Sequence, residues 1–368
     1  MIPAIDQQRA IDTFFDLVRI DSPSGQEEAI GQRLERLLRE CGVEAGRDAG
    51  GNVIGRRPGR GRLAGLPPLL LAAHMDTVQP GTGIRPVIDG GVIRSSGETI
   101  LAADDKAGIT AILEALRRAE ELGLETRPLE IVFTVQEETG LRGAKALDVA
   151  ALAARQAVVL DSHGPVGTIV HRAPAQNAIE VVVIGRAAHA GVAPEQGISA
   201  LVAAARALAA MRLGRIDDET TANFGVISGG TASNVVPERV YLKGEARSRD
   251  EGKLEAQTRH MLERLEAAAQ ELGARVEAKV ERAYSAFSIP DDAPVIRLAG
   301  AAMRACGLEP QLVPTGGGSD ANVLNAAGIQ AVNLGVGYEK PHSVDECITV
   351  ESLARICQVV LALVTAAA

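Results

Sequence analysis

Acids and histidines able to bind a metal ion or move a proton recur along this chain at one kind of place, just after short apolar runs. His74 and Asp76 follow Leu69-Leu70-Leu71-Ala72-Ala73, Glu137 and Glu138 follow Leu129 to Val135, and Asp161 follows Ala157 to Leu160. His342 follows Ala331 to Gly335, and Asp104-Asp105 lies just ahead of a helical pattern that starts near Lys106. Neutral imidazole and carboxylate oxygen are the ligand types zinc takes at about 2.0–2.2 Å. Two histidines and three carboxylates exceed what one tetrahedral ion needs. They suit two ions about 3.5–4 Å apart that share one carboxylate. In His-x-Asp, Asp76 is placed to accept the second ring N–H of His74 and fix its tautomer. In Glu137-Glu138 one carboxylate can bind metal while its neighbour acts as a base.

The elements that would carry these residues follow from periodicity. Apolar spacing of three and four predicts helices at about 6–20, 26–42 and 106–123. The uniformly apolar runs at 69–73, 129–135 and 157–160 read as parallel strands buried on both faces. Strands alternating with helices imply an α/β fold with a mostly parallel sheet. In such sheets ligands bind beyond the carboxyl ends of the strands, where the candidate residues fall. The middle of the chain changes character. Strand-like segments at 178–184, 224–227, 240–246 and 274–280 and helical ones at 198–211 and 254–272 give the order βαββαβ of the ferredoxin-like split motif. After Pro290 the α/β pattern returns. The expected organisation is therefore a catalytic α/β domain from 1–173 and 286–368, with 174–285 inserted as a small α+β lid and dimerisation domain.

Several segments together carry a family resemblance: His74-Met75-Asp76-Thr77-Val78, Ala103 to Gly108, Glu137-Glu138-Thr139-Gly140, Asp161, Ala188-His189-Ala190-Gly191, Ser233 to Pro237, Gly316 to Asp320, and His342. In this order they resemble the co-catalytic zinc peptidases that include peptidase T, glutamate carboxypeptidase and succinyl-diaminopimelate desuccinylase, the peptidase T-like branch above all. The resemblance implies a di-zinc peptidase domain with His74, Asp104 and Asp161 on one ion, and with Asp104, Glu138 and His342 on the other. It makes Glu137 the general base; Asp76, through His74, is counted with it as catalytic. It implies that His189 reaches the substrate carbonyl, in the neighbouring subunit's site, and that Asn234 and Arg247 contact substrate. It also implies a cis peptide after the bridging Asp104. Ser162-His163-Gly164 departs from the glycine-rich stretch of peptidase T itself, which bears on the pocket wall. Gly317 and Gly318 offer backbone N–H groups to a substrate carboxylate. As a bland alternative, Gly316 to Gly318 is only a flexible turn before a capped helix, and Arg247 a solvated charge.

Composition narrows the rest. Lys+Arg 38 against Asp+Glu 47 gives a net charge of −9, and aromatics are 2% with no Trp. That excludes a basic or base-stacking nucleic-acid binder. A hydrophobic content of 46% supports a large aliphatic core. No apolar run reaches the roughly 18 residues that span a bilayer. The four cysteines form no C-x-x-C pair and read as free thiols in a reducing compartment. The expectation is a soluble cytoplasmic homodimer with a short peptide as substrate. The reading is a metallo-aminopeptidase with two divalent ions, zinc first, cobalt or manganese also suiting these ligands. An N-acyl-amino-acid amidohydrolase or a carboxypeptidase would share the chemistry. A non-catalytic metal-binding protein ranks last, because Glu137 and every bridging ligand are present.

Overall fold

The computed structural model describes residues 2–366. Leu69–His74 is buried at every position, as an apolar run with no alternation requires. It pairs in parallel with Leu129–Thr134 on one side, Leu69 opposite Leu129 and His74 opposite Thr134, and with Gln156–Ser162 on the other. Gln330–Gly335 joins Gln156–Ser162, again in parallel. These four strands point the same way, so their carboxyl ends share one edge. Antiparallel strands flank them: Val53–Arg57 and Glu44–Arg47 on one side, Thr168–Ala173 on the other. Each fully buried leucine here contributes about 1.5–3 kcal/mol.

Helix Ala103–Glu121 packs against this sheet and against Gln7–Val18 and Val350–Val364. Its Gly108 is required: a Cβ there would sit 2.2 Å from the Leu160 carbonyl oxygen. The buried Glu114 on this helix is matched by Arg9 at 2.7 Å, Arg117 at 2.7 Å and Thr13 at 2.9 Å. Asp6 and Thr349 cap Gln7–Val18 and Val350–Val364 with their side chains. From the sequence, the apolar run 359–368 reads as a short terminal core helix. It is helical to Val364, and residues 367–368 lie outside those described.

The chain divides into two compact units. The first comprises the chain up to His171, Ser288–Pro314, and the chain from Ser319 onward; the second is Arg172–Phe287 with Thr315–Gly318. The expected boundary put 286–368 wholly in the first unit, and residues 315–318 correct it. The Thr315 N–H donates to the Arg172 carbonyl at 2.9 Å, and Gly318 lies so close to the Tyr284 ring that a Cβ would meet it at 2.2 Å.

The second unit is an antiparallel sheet in the order Gly214–Arg215, Thr220–Gly229, Arg239–Ser248, Ala175–Ile184, Arg275–Tyr284. Without its short edge strand this is the order of the split βαβ motif. Ala175–Ile184 alternates buried and half-buried residues throughout. Ile179, Val181 and Val183 pack with Leu242, Leu254, Met261 and the small buried face of Ala200–Ala209. The protein is thus mixed α/β, with a mostly parallel central sheet and a separate ferredoxin-like unit.

Short strands escaped the sequence reading. Pro86–Asp89 and Val92–Ser95 form a hairpin on Gly90-Gly91, both at positive φ. Cys347–Thr349 and Tyr338–Glu339 extend it into a small second sheet. Where the expected boundary between 173 and 174 falls, Pro174 breaks the chain between two strands.

Candidate active site

The parallel strands deliver His74, Glu137, Glu138 and Asp161 to one sheet edge. His74 ends its strand and is 2% exposed. Its Nδ1 lies 3.0 Å from the Asp76 carbonyl oxygen, a pure acceptor, so Nδ1 carries the hydrogen and Nε2 faces inward. Nε2 then stands 3.1 Å from Asp104 Oδ1 and 3.6 Å from Asp161 Oδ1. Against its burial, the bonds to Asp104 and Asp76 hold the His74 imidazole well above its ordinary pKa. On the far side His342, at φ +60°, sets Nε2 3.0 Å from Glu138 Oε1 and 3.4 Å from Asp104 Oδ2. Its bonds to Asp104 and Glu138 raise it to about 10. Both imidazoles are drawn toward the cationic form by the carboxylates they face. A divalent ion would meet the same electrostatic demand.

Asp104 lies between the two imidazoles, and its peptide bond to Asp105 is cis, as the resemblance implied. Two sets of ligand atoms each fall within 4.8 Å of one another: His74, Asp104, Glu138 and His74, Asp105, Asp161. Asp105 is buried. Its Oδ2 accepts the His74 backbone N–H at 3.2 Å, and its Oδ1 has no partner. Burial, with the charge of Asp104 adding, pushes the Asp161 carboxyl up. Such a crowd of buried anions is costly unless a cation joins it, so the donor set fits two divalent ions.

Glu137 is buried, and burial, with the Asp161 charge adding, raises its carboxyl well above the usual range. Its loop is fastened from behind. Asp76 Oδ1 accepts the Glu137 N–H at 2.9 Å, and Oδ2 accepts the Glu138 N–H at 3.2 Å and the Ser24 hydroxyl at 2.6 Å. Glu27 Oε1 accepts the Gln136 N–H at 3.0 Å. The same carboxylate still faces the His74 ring, as expected, though a main-chain oxygen comes closer. The Asp76 carboxylate is 3.5 Å from Nδ1, beyond the carbonyl of the same residue, because it is committed to the Glu137-Glu138 backbone.

Three site residues escaped the sequence reading. The buried Tyr338 hydroxyl donates to Asp104 Oδ1 at 3.1 Å. Asn333 holds Asp161 by accepting its N–H at 2.9 Å. Asp320 accepts the Thr134 hydroxyl on Oδ2, leaves Oδ1 buried without a partner, and is raised by burial to about 6. Only the Gly-Ser-Asp segment before its helix hinted at Asp320.

The remaining candidates lie in the second unit. His189 and Val235 form a bridge, and the Ala190 N–H donates to the Asn234 carbonyl at 2.9 Å, so His189 and Asn234 share one paired loop. Arg247 donates to Glu245 at 2.8 and 3.0 Å. The Gly317 N–H donates to Thr315 Oγ1 at 3.2 Å, and Gly318 makes room for Tyr284.

Residues 70–366 match the model of Peptidase family M20/M25/M40. Over 369 residues the chain is 40% identical to the uncharacterized protein YqjE of Bacillus subtilis (strain 168), covering 99% of this chain and all of that one. The crystal structure of aminopeptidase PepT from Bacillus cereus ATCC 10987 is similar at TM-score 0.88 and 42% identity over 98% of each chain. That of a tripeptidase from Staphylococcus aureus subsp. aureus Mu50 is similar at TM-score 0.93 and 38% identity over 99% of each chain.

Proposed function

The chain belongs to peptidase family M20/M25/M40, and on that premise we propose that it is a metallo-aminopeptidase that hydrolyses short, tripeptide-like substrates. One observation carries the reading. Two imidazoles and the carboxylates of Asp104, Glu138 and Asp161 converge at the sheet edge that also presents the buried Glu137. The likeness to an aminopeptidase PepT and a tripeptidase, each over nearly the whole chain, supports the substrate class.

His74, Asp104 and Asp161 would hold one divalent ion, and Asp104, Glu138 and His342 the other. The cluster of imidazole and carboxylate suits zinc, with cobalt or manganese as alternatives. Ions bound there would supply Lewis-acid activation of water and of the scissile carbonyl near neutral pH. Glu137 takes the proton of the attacking water on its carboxylate and returns it to the leaving amine. Asp76 keeps Glu137 and Glu138 in register through their backbone N–H groups. His189 donates to the developing oxyanion, and Asn234 and Arg247 contact the substrate. The second unit serves as the lid and pairs two copies about a two-fold axis, so that His189 serves the partner's site. Leu201 and Val202 on Ala200–Ala209, and Val226 and Ile227 on Thr220–Gly229, are exposed and suited to that contact. No helix among the described residues is long and apolar enough to cross a membrane. Four free thiols support a cytoplasmic location.

A tripeptide, its N-acetyl form and its C-terminal amide test the reading. An aminopeptidase cleaves the first and third and spares the second. Preference for the N-acetyl compound would make the protein an acyl-amino-acid amidohydrolase, and loss of cleavage only with the amide would make it a carboxypeptidase. A fully active monomer by light scattering would remove the dimer and the role of His189 in the partner's site.

A further inference from the structure

Glu346 resembles a surface acid in the sequence, in a polar stretch with Ser343 and Asp345. In the structure it is 1% exposed. Its Oε2 accepts the backbone N–H groups of Leu101 at 2.9 Å and Ala102 at 2.8 Å, and its Oε1 accepts that of Asp104 at 2.9 Å. A carboxylate is well suited to this, since its two oxygens offer about four lone-pair sites. The backbone has turned to meet it. Ala102 stands at φ +61°, ψ +33°, a left-handed conformation that a residue with a Cβ holds only where its surroundings impose it. The N–H groups on either side of that turn converge as an anion-binding nest.

The two loops joined in this way are far apart in the chain. Glu346 and Asp104 are separated by 242 positions. Four residues before Glu346 is His342, whose Nε2 lies 3.4 Å from Asp104 Oδ2. The nest therefore fixes the main chain of Asp104 to the loop that carries His342. His74 and Asp161 need no such tie, because hydrogen-bonded strands of the main sheet carry them.

We propose that Glu346 is a positioning residue for metal uptake: its carboxylate, seated in the Leu101–Asp104 nest, holds Asp104 and His342 in register for the ion they share. The inference rests on the metal assignment proposed above. It concerns that shared ion most; the ion held by His74 and Asp161 also uses Asp104 but is affected less, because its other two ligands sit on strands of the main sheet.

The test is divalent-ion affinity, read with zinc against a fluorescent chelator, together with amide hydrogen exchange. Glu346→Gln keeps the shape but has one oxygen and one NH2 group. If the oxygen serves Leu101 and Ala102, the NH2 opposes the Asp104 N–H. One of two zinc ions should bind about 10- to 100-fold more weakly, and the other, which keeps His74 and Asp161, should lose less. The Leu101–Asp104 amides should exchange faster, and kcat should recover at high zinc. Glu346→Asp keeps the charge but not the reach, and should weaken the same ion. Asp345→Asn removes an exposed neighbouring charge and should change nothing. Equal weakening of both ions, or a loss of apo-protein Tm with unchanged zinc affinity, would mean a purely structural Glu346 and overturn the proposal. Wild type binding two zinc ions with Glu346→Gln identical to it overturns this inference alone. Wild type binding none overturns it together with the metal assignment.

Discussion

Replacing Asp76 by Asn should slow peptide hydrolysis without unfolding the protein, and the size of the effect follows from three contacts. The carboxylate receives the Glu137 N–H on one oxygen, and the Glu138 N–H and the Ser24 hydroxyl on the other. Asparagine supplies a single oxygen. Its best orientation keeps the Glu137 N–H on that oxygen and points the NH2 toward Ser24, whose hydroxyl can turn to accept. The Glu138 N–H then faces a donor and loses its bond. A hydrogen bond to a charged group is worth about 1.5–3 kcal/mol. If the loss falls on the transition state, kcat/KM drops about 10- to 150-fold at about 1.36 kcal/mol per decade. The assay is steady-state cleavage of a tripeptide at saturating metal, with circular dichroism to confirm the fold. A D76N enzyme within about threefold of wild type would refute the claim that this carboxylate positions the Glu137-Glu138 pair.

Glu137→Gln should retain metal, measured by elemental analysis, and lose about 10²–10⁴-fold in kcat; near-full turnover with metal bound would remove Glu137 as the base. Chelation should abolish cleavage, and divalent ions should restore it. In a thermal melt, ion at 100 times its Kd should stabilise the fold by about 2.7 kcal/mol; a Tm indifferent to metal would count against the buried cluster as a binding site. The cysteines should resist alkylation. Burial raises all four thiols, Cys306 to about 11, which leaves about one thiolate in a thousand there at pH 8. Mass spectrometry should show iodoacetamide modifying the unfolded chain far faster than the native one, and equal rates would contradict that burial.

The core of the sheet was legible because its strands are uniformly apolar, and such runs have few alternatives to burial on both faces. The edge holding His74, Glu138 and Asp161 was legible for the same reason, since parallel strands deliver whatever follows them to one side. The second unit was legible from a change of period along the chain. Glu346 was not. Its partners are backbone groups 242 to 245 positions away, and backbone groups leave no mark on residue type. Tyr338 was hidden because a buried tyrosine reads as core until its hydroxyl is seen on Asp104. The Asp76 carboxylate was given to His74 because sequence proximity suggests it. The nearer acceptor is the carbonyl of the same residue. Thr315–Gly318 was assigned by chain continuity, whereas Gly318 packs on Tyr284.

A pattern joins the site's two fastened loops. Glu27 and Asp76 accept the N–H groups of Gln136, Glu137 and Glu138, and Glu346 accepts those of Leu101, Ala102 and Asp104. Where a chain leaves a parallel strand or enters a helix through a tight turn, its N–H groups lose ladder partners and need acceptors when buried. Neutral acceptors would satisfy them. Carboxylates do so too, and add negative charge behind ligands that are already negative. That arrangement is unfavourable to the empty site, because like charges gather at low dielectric. It favours a divalent ion over a proton or a monovalent ion, because the attraction scales with the charge of the ion. The same acids that order these loops would thus deepen the well that a divalent ion in this cluster enters. Removing one should therefore weaken both the geometry and the field, which is why Glu346→Asp, preserving the charge alone, is the variant that separates the two.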